Sequence, residues 1–136
     1  MKVVLDTNVF VSSFLGSGPP RQIVDQWKVG RFTLCLCAEI LAEYVDVLAR
    51  LGLEGTAELR ELLELFRRRS NLDFVVIGGD LRVVADDPAD DKFIECARVA
   101  GAKVIVSGDR HLKGIGVYED IRVLAPAEFV ATYAAP

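Results

Sequence analysis

Two apolar, β-branched runs in this chain end in a carboxylate. Val3-Val4-Leu5 leads directly into Asp6, and Val104-Ile105-Val106 leads through Ser107-Gly108 into Asp109. Runs this short and this apolar read as strands buried on both faces, which implies a parallel sheet covered by helices. Their carboxylates then emerge where the strands end, the edge at which α/β folds bind ligands. Two further acidic points lie between them: Glu43, on a helical pattern, and Asp90-Asp91, just before Lys92-Phe93-Ile94. Several carboxylates converge in a fold only when something offsets their repulsion, and Mg²⁺ or Mn²⁺ is the usual counter-charge for oxygen donors.

The rest of the chain alternates in the same way. Strands are predicted over 2–5, 32–37, 74–77, 103–107 and 122–124, and helices over 9–15, from Pro20 to Gly30, and over 38–50, 57–69, 92–100 and 127–133. Ile23, Val24 and Trp27 share one face of the second helix, and Ile40, Leu41, Tyr44, Val47 and Leu48 recur at helical spacing in the third. Leu59, Leu62, Leu63 and Phe66 form an apolar stripe in the fourth, and Phe93, Ile94, Ala97 and Ala100 form one in the fifth. Gly101 is the natural stop of that fifth helix, and 108–116 reads as an irregular loop. Strands alternating with helices predict a three-layer α/β/α sandwich around a mostly parallel sheet, with right-handed crossovers. With 136 residues, 51% of them hydrophobic, the chain suits one domain spanning 1–136 with a single core.

Composition narrows the function. No apolar run is long enough to span a bilayer, and a single lysine precedes the first strand where a signal peptide would place its apolar region, so a soluble, cytoplasmic protein without membrane association is expected. The three cysteines, Cys35, Cys37 and Cys96, include no Cys-x-x-Cys pair and are joined by one histidine, His111. That set argues against structural zinc and for cysteines used as small buried hydrophobes. The net charge of −4 argues softly against a nucleic-acid partner, because acids committed to metal ions count fully in the formal sum and little in the loaded protein. Arg67-Arg68-Arg69 ends a helical pattern, where cations match the helix dipole.

Each acidic residue has a bland reading beside the functional one. Asp6 could merely cap the next helix, yet Thr7 and Asn8 are equally able caps, so Asp6 is favoured for function, with Asn8 placed to orient it or a metal-bound water. Glu43 by itself reads as a solvated helix position one turn from Glu39. Of Asp86, Asp87, Asp90 and Asp91, some are ordinary turn and helix-start residues; counting back from the Phe93 stripe puts Asp91 beside the buried face, with Asp90 as its helper. Asp109 ends a strand with Gly108 easing the turn, and Ser107 could donate a hydrogen bond to a carboxylate. In the following loop Arg110 and Lys113 suit a substrate phosphate better than His111 does.

Taken in order, Leu5-Asp6-Thr7-Asn8, the helical Glu43, the run Asp90-Asp91-Lys92-Phe93-Ile94-Glu95-Cys96-Ala97 and Val106-Ser107-Gly108-Asp109-Arg110-His111-Leu112 resemble the PIN domain. The resemblance covers essentially the whole chain and is strongest to VapC-like toxin components of toxin-antitoxin systems. It implies a metal-dependent endoribonuclease in which Asp6, Glu43, Asp91 and Asp109 hold one or two Mg²⁺ or Mn²⁺ ions. Asp6 would be the central ligand, Asn8 and Ser107 would orient water or ligands, and Asp90 would be auxiliary. It also implies an RNA substrate, an antitoxin protein partner and a homodimer. Where such families carry Ser or Thr at the start of the glutamate helix, this chain has Cys37-Ala38, which leaves that start without a hydroxyl cap. The chemistry agrees with the residues, since two cations about 3.5 to 4 Å apart can stabilise both in-line oxygens of a phosphodiester without a cysteine or histidine nucleophile.

Three other readings use the same acids. A haloacid-dehalogenase-like phosphatase expects a second Asp two residues after the first, where this chain has Asn8. A receiver-type signalling domain wants an acidic pair after the first strand, and Asp6-Thr7 does not provide it. A non-catalytic PIN-like scaffold binding RNA or protein would be free to lose acids that this chain keeps. The Leu59, Leu62, Leu63 and Phe66 stripe could serve an interface, although core packing is its simpler use.

Overall fold

The order of strands follows from which apolar runs are buried on both faces. In the computed structural model, which describes residues 1–84 and 87–133, β1 (Lys2–Leu5) lies between β2 (Thr33–Leu36) and β4 (Val104–Val106) and is parallel to both. The strand β3 (Leu72–Phe74) pairs with the outer edge of β2, and β6 (Ile121–Leu124) pairs with β4, again in parallel. A two-residue strand, β5 (Val117–Tyr118), closes the far edge antiparallel to β6, so the order is β3-β2-β1-β4-β6-β5. Among the described residues seven α-helices flank the sheet: α1 (Thr7–Ser12), α2 (Pro19–Lys28), α3 (Ala38–Arg50), α4 (Ala57–Arg67), α5 (Asp91–Ala100), α6 (Arg110–Ile115) and α7 (Pro126–Tyr133). The result is the expected three-layer α/β/α arrangement around a mostly parallel sheet.

Helical periodicity translates directly into packing. Ile23, Val24 and Trp27 of α2, Ile40, Tyr44 and Leu48 of α3, and Phe93, Ile94, Ala97 and Ala100 of α5 are all buried. Pro19 and Pro20 open α2, where the missing amides cost nothing, and Gly101 closes α5 in the left-handed region at φ 75°. Along α4, Leu59, Leu62 and Phe66 are core while Leu63 is 38% exposed, so most of that stripe serves the interior. Cys35, Cys37 and Cys96 are free and buried.

Two stretches differ from the periodicity. The third strand is not 74–77 but ends at Phe74, because its partner β2 stops at Leu36 and Cys37 is the cap position that leads into α3. One last bond, from the Val75 amide to the Leu36 carbonyl at 2.8 Å, precedes departure from the sheet, and Val76 is 86% exposed. The stretch 108–116, expected to be irregular, contains α6, started by the Asp109 side chain and anchored by buried Leu112. The hairpin that follows turns at Glu119, which has a φ of 54°.

The aromatic core is tied to the end of β1. Tyr44 stacks on Phe10 with ring centroids 4.1 Å apart, and its hydroxyl donates to the Leu5 carbonyl, one residue before Asp6. Burial raises the Tyr44 phenol well above its ordinary pKa, so it stays a donor. Tyr44→Phe should therefore keep the stack, leave a buried carbonyl short of its partner, and cost about 1 to 2 kcal/mol in urea unfolding.

Candidate active site

The register of β1 against β4 pairs Leu5 with Val106, so the residues that follow, Asp6 and Ser107, leave the sheet side by side. The Asp6 amide continues the ladder to the Val106 carbonyl at 3.0 Å. Its carboxylate caps α1 through Oδ1, which accepts from the Val9 amide at 2.9 Å, while Oδ2 accepts from the Ser107 hydroxyl. That hydroxyl in turn accepts from the Asp109 amide at 2.9 Å. Asp109 caps α6, its Oδ1 accepting from the His111 and Leu112 amides at 2.7 and 3.2 Å. Buried Ser107 thus joins the two strand-end acids.

Beside them opens a cavity of about 270 Å³, lined by Asp6, Thr7, Asn8, Glu43, Val47, Arg50, Asp87, Asp90, Phe93 and Asp109. Glu43 comes from α3, with Oε2 accepting from the Thr7 hydroxyl and Oε1 lying 3.1 Å from Lys92 Nζ. Cys37, at the start of α3, makes no side-chain cap, and the helix is held instead by Ile40, Tyr44 and Leu48 in the core. Asp87 and Asp90 flank and end a single 3-10 turn, Pro88–Asp90. Asp87, Asp90 and Asp109 each offer a carboxylate oxygen, all within 4.8 Å of one another.

Asp91, expected among the metal-holding acids, is not among the residues that line this cavity. It is 4% exposed, and its Oδ1 accepts from the Val83 and Val84 amides at 2.8 and 2.7 Å. Counting back from the Phe93 stripe located a buried side chain correctly, but the buried face at the start of α5 meets 83–84 rather than the acidic cavity. Asp90, one residue earlier, points into it. Arg110 and Lys113, expected as phosphate partners, are both exposed on α6 and neither lines the cavity. Asn8 does line it, at its exposed rim. Asp86 lies outside the described residues.

Four contributors carry no distinguishing signal in the sequence: Asp87 and Thr7 are residue types equally at home in turns and helix caps, and Arg50 and Lys92 are charged residues equally at home on a solvated helix face. Arg50 lines the cavity from the last turn of α3 while paired with Asp46.

The electrostatics ask for a cation. Burial, followed by the charges of Asp87 and Asp109, pushes Asp90 up to about 7, with Lys92 opposing. Burial also raises Asp6, against the hydrogen bonds from Ser107 and Val9 that favour its charged form. Asp90 Oδ2 is buried and accepts no hydrogen bond among the described residues; Asp91 Oδ2 is likewise unpartnered, but Asp91 lies off the cavity that Asp90 lines. A hard oxygen donor that is desolvated, unpartnered and close to two others fits a divalent ion.

The PIN domain model matches residues 2–111, a span that contains every carboxylate lining the cavity. The chain belongs to the PIN domain family. No curated protein and no solved structure matches it significantly. PIN domains are generally nucleases that use divalent metals, and this one carries an acidic cluster able to bind metal, Asp87, Asp90 and Asp109, between the turn before α5 and the end of β4. Among the described residues no helix is long and apolar enough to cross a membrane.

Two measurements separate the neighbouring aspartates. Asp91→Ala removes a charged acceptor from two amides and should destabilise the fold by about 2 to 3 kcal/mol in chemical unfolding. Asp90 should show itself in pH dependence instead. Its folded carboxyl holds a proton up to about 7, whereas in the unfolded chain it titrates near about 4. The metal-free fold then binds more protons than the unfolded chain between those values, so its stability falls as pH rises through that window. The melting temperature of EDTA-treated protein should drop between about pH 5 and about pH 8, and Asp90→Asn should flatten that slope.

Proposed function

We propose that this PIN domain is a metal-dependent endoribonuclease, the toxin of a toxin-antitoxin pair. The observation that carries the nuclease reading is the excess of carboxylates in one cavity: Asp6, Glu43, Asp87, Asp90 and Asp109 line it, and Arg50 is the one cationic lining residue among those described. Asp87, Asp90 and Asp109 would hold Mg²⁺ or Mn²⁺, with Asp6 beside them at the end of β1. Such an ion supplies charge neutralisation at the phosphate and a water of lowered pKa.

The protein's own groups do the rest. Ser107 keeps Asp6 and Asp109 in fixed relation, and the two helix caps stop both carboxylates from turning away. Arg50, exposed and held by a surface ion pair with Asp46, is free to exchange that partner for a substrate phosphate. It replaces Arg110 and Lys113 as the phosphate ligand nearest the cavity. Asn8 at the rim offers an amide to the same substrate. Among the described residues no cysteine or histidine lines the cavity, and in this reading the attacking group is water.

The toxin role, a cognate antitoxin, a homodimer and a cytoplasmic location extend the reading through the likeness of the four motifs to VapC-like chains. Induced expression should arrest growth with the native chain and not with Asp90→Asn.

The decisive assay is cleavage of labelled single-stranded RNA with Mg²⁺ or Mn²⁺. Cutting should vanish in EDTA and fall by more than about 100-fold in Asp6→Asn and Asp90→Asn. In Arg50→Ala, kcat/KM should fall by about 10-fold, mostly through KM, with partial recovery in Arg50→Lys. Turnover of small phosphoesters with none on RNA would favour a phosphatase.

A further inference from the structure

Glu43 stands apart from the other lining acids because both of its oxygens are engaged by side chains. Oε2 accepts from the Thr7 hydroxyl, and Oε1 lies 3.1 Å from Lys92 Nζ. Lys92 is not a loose surface lysine. Its side chain is 17% exposed, its ammonium also donates to the Ala89 carbonyl, and it sits 4.9 Å from the centroid of the Phe93 ring. Ala89 belongs to the 3-10 turn that carries Asp90, so one ammonium ties α3 to the metal-facing turn.

We infer that Lys92 is a built-in counter-ion for Glu43, which limits the site to one divalent cation and places it among Asp87, Asp90 and Asp109. This rests on the metal-dependent reading above. The charges divide accordingly. Glu43 is neutralised by Lys92, whereas Asp90 Oδ2 is buried and accepts no hydrogen bond among the described residues. A second divalent ion at Glu43 would have to displace both the Thr7 hydroxyl and an ammonium held at three points. It would also sit in contact range of that positive charge and be repelled by it. Glu39, Asp91 and Glu95 line a separate cavity on the outer side of Lys92, but they leave its contact with Glu43 intact. Lys92 is thus a positioning residue: it draws Glu43 away from metal coordination and fixes the turn that presents Asp90.

The test counts ions rather than turnover. Manganese is titrated into purified, EDTA-stripped protein, and free Mn²⁺ is read from its solution electron paramagnetic resonance signal. The native chain should bind one Mn²⁺, Lys92→Met should bind two by freeing Glu43, and Lys92→Arg should remain at one. Two ions on the native chain, or one on a folded Lys92→Met, would overturn the inference while leaving the nuclease reading standing. No bound ion on the folded native chain would remove the metal reading and this inference together. If Lys92→Met does not fold, Glu43→Gln decides: an unchanged count with affinity altered less than about 3-fold supports the counter-ion role, and a loss of more than about 10-fold makes Glu43 a ligand and refutes it.

Discussion

The parallel alignment of β1 with β4 is the constraint on which the rest depends. It sets Leu5 against Val106, and Asp6 and the Ser107–Asp109 stretch leave the sheet directly beyond that pair. A hydroxyl at 107 can then bridge Asp6 and the Asp109 backbone, and each aspartate can start a helix with the same carboxylate that borders the cavity. A slip of one residue in either strand would send these side chains to the opposite face of the sheet. The apolar strands are therefore part of the site. Their burial on both faces enforces the register that a polar cluster could not hold against its own repulsion.

Repulsion is handled locally and unevenly. Glu43 has a lysine and a hydroxyl, Asp6 has an amide and a hydroxyl, Asp109 has two amides, and Asp90 is left with a buried oxygen and a raised pKa. The gradient points to where an added positive charge would relieve the most. Asp91 shows the contrasting use of the same residue type. Its Oδ1 is spent on the Val83 and Val84 amides, which makes it a brace for the segment entering the acidic turn. Its Oδ2 is buried and unpartnered among the described residues like that of Asp90, but only Asp90 lines the cavity. Adjacent aspartates at a helix start thus divide between structure and chemistry, because successive residues there point about 100° apart.

Much of this was readable from residue order. The strand-ending acids, the helical stripes and the Gly101 stop depend on periodicities of 2 and 3.6, which local sequence displays openly. The third strand was misplaced because Phe74, Val75, Val76 and Ile77 are apolar enough for a strand, yet strand length is set by the partner, and β2 had already ended. The helix after Asp109 was missed because Gly108, Gly114 and Gly116 read as loop, while the capping by Asp109 and the burial of Leu112 depend on where β4 delivers them.

What the sequence determined by itself was the sheet-and-helix alternation, the family and three of the acids that border the cavity, Asp6, Glu43 and Asp109, because each follows from local pattern or motif. Tertiary structure alone decided that Asp90 rather than Asp91 enters the cavity, that Asp87 and Arg50 join it, and that Lys92 neutralises Glu43. Those choices depend on which side chains from α3, α5 and the turn before it meet across space, and that meeting is set by sheet register and helix packing, to which neighbouring residues in the chain carry no direct clue.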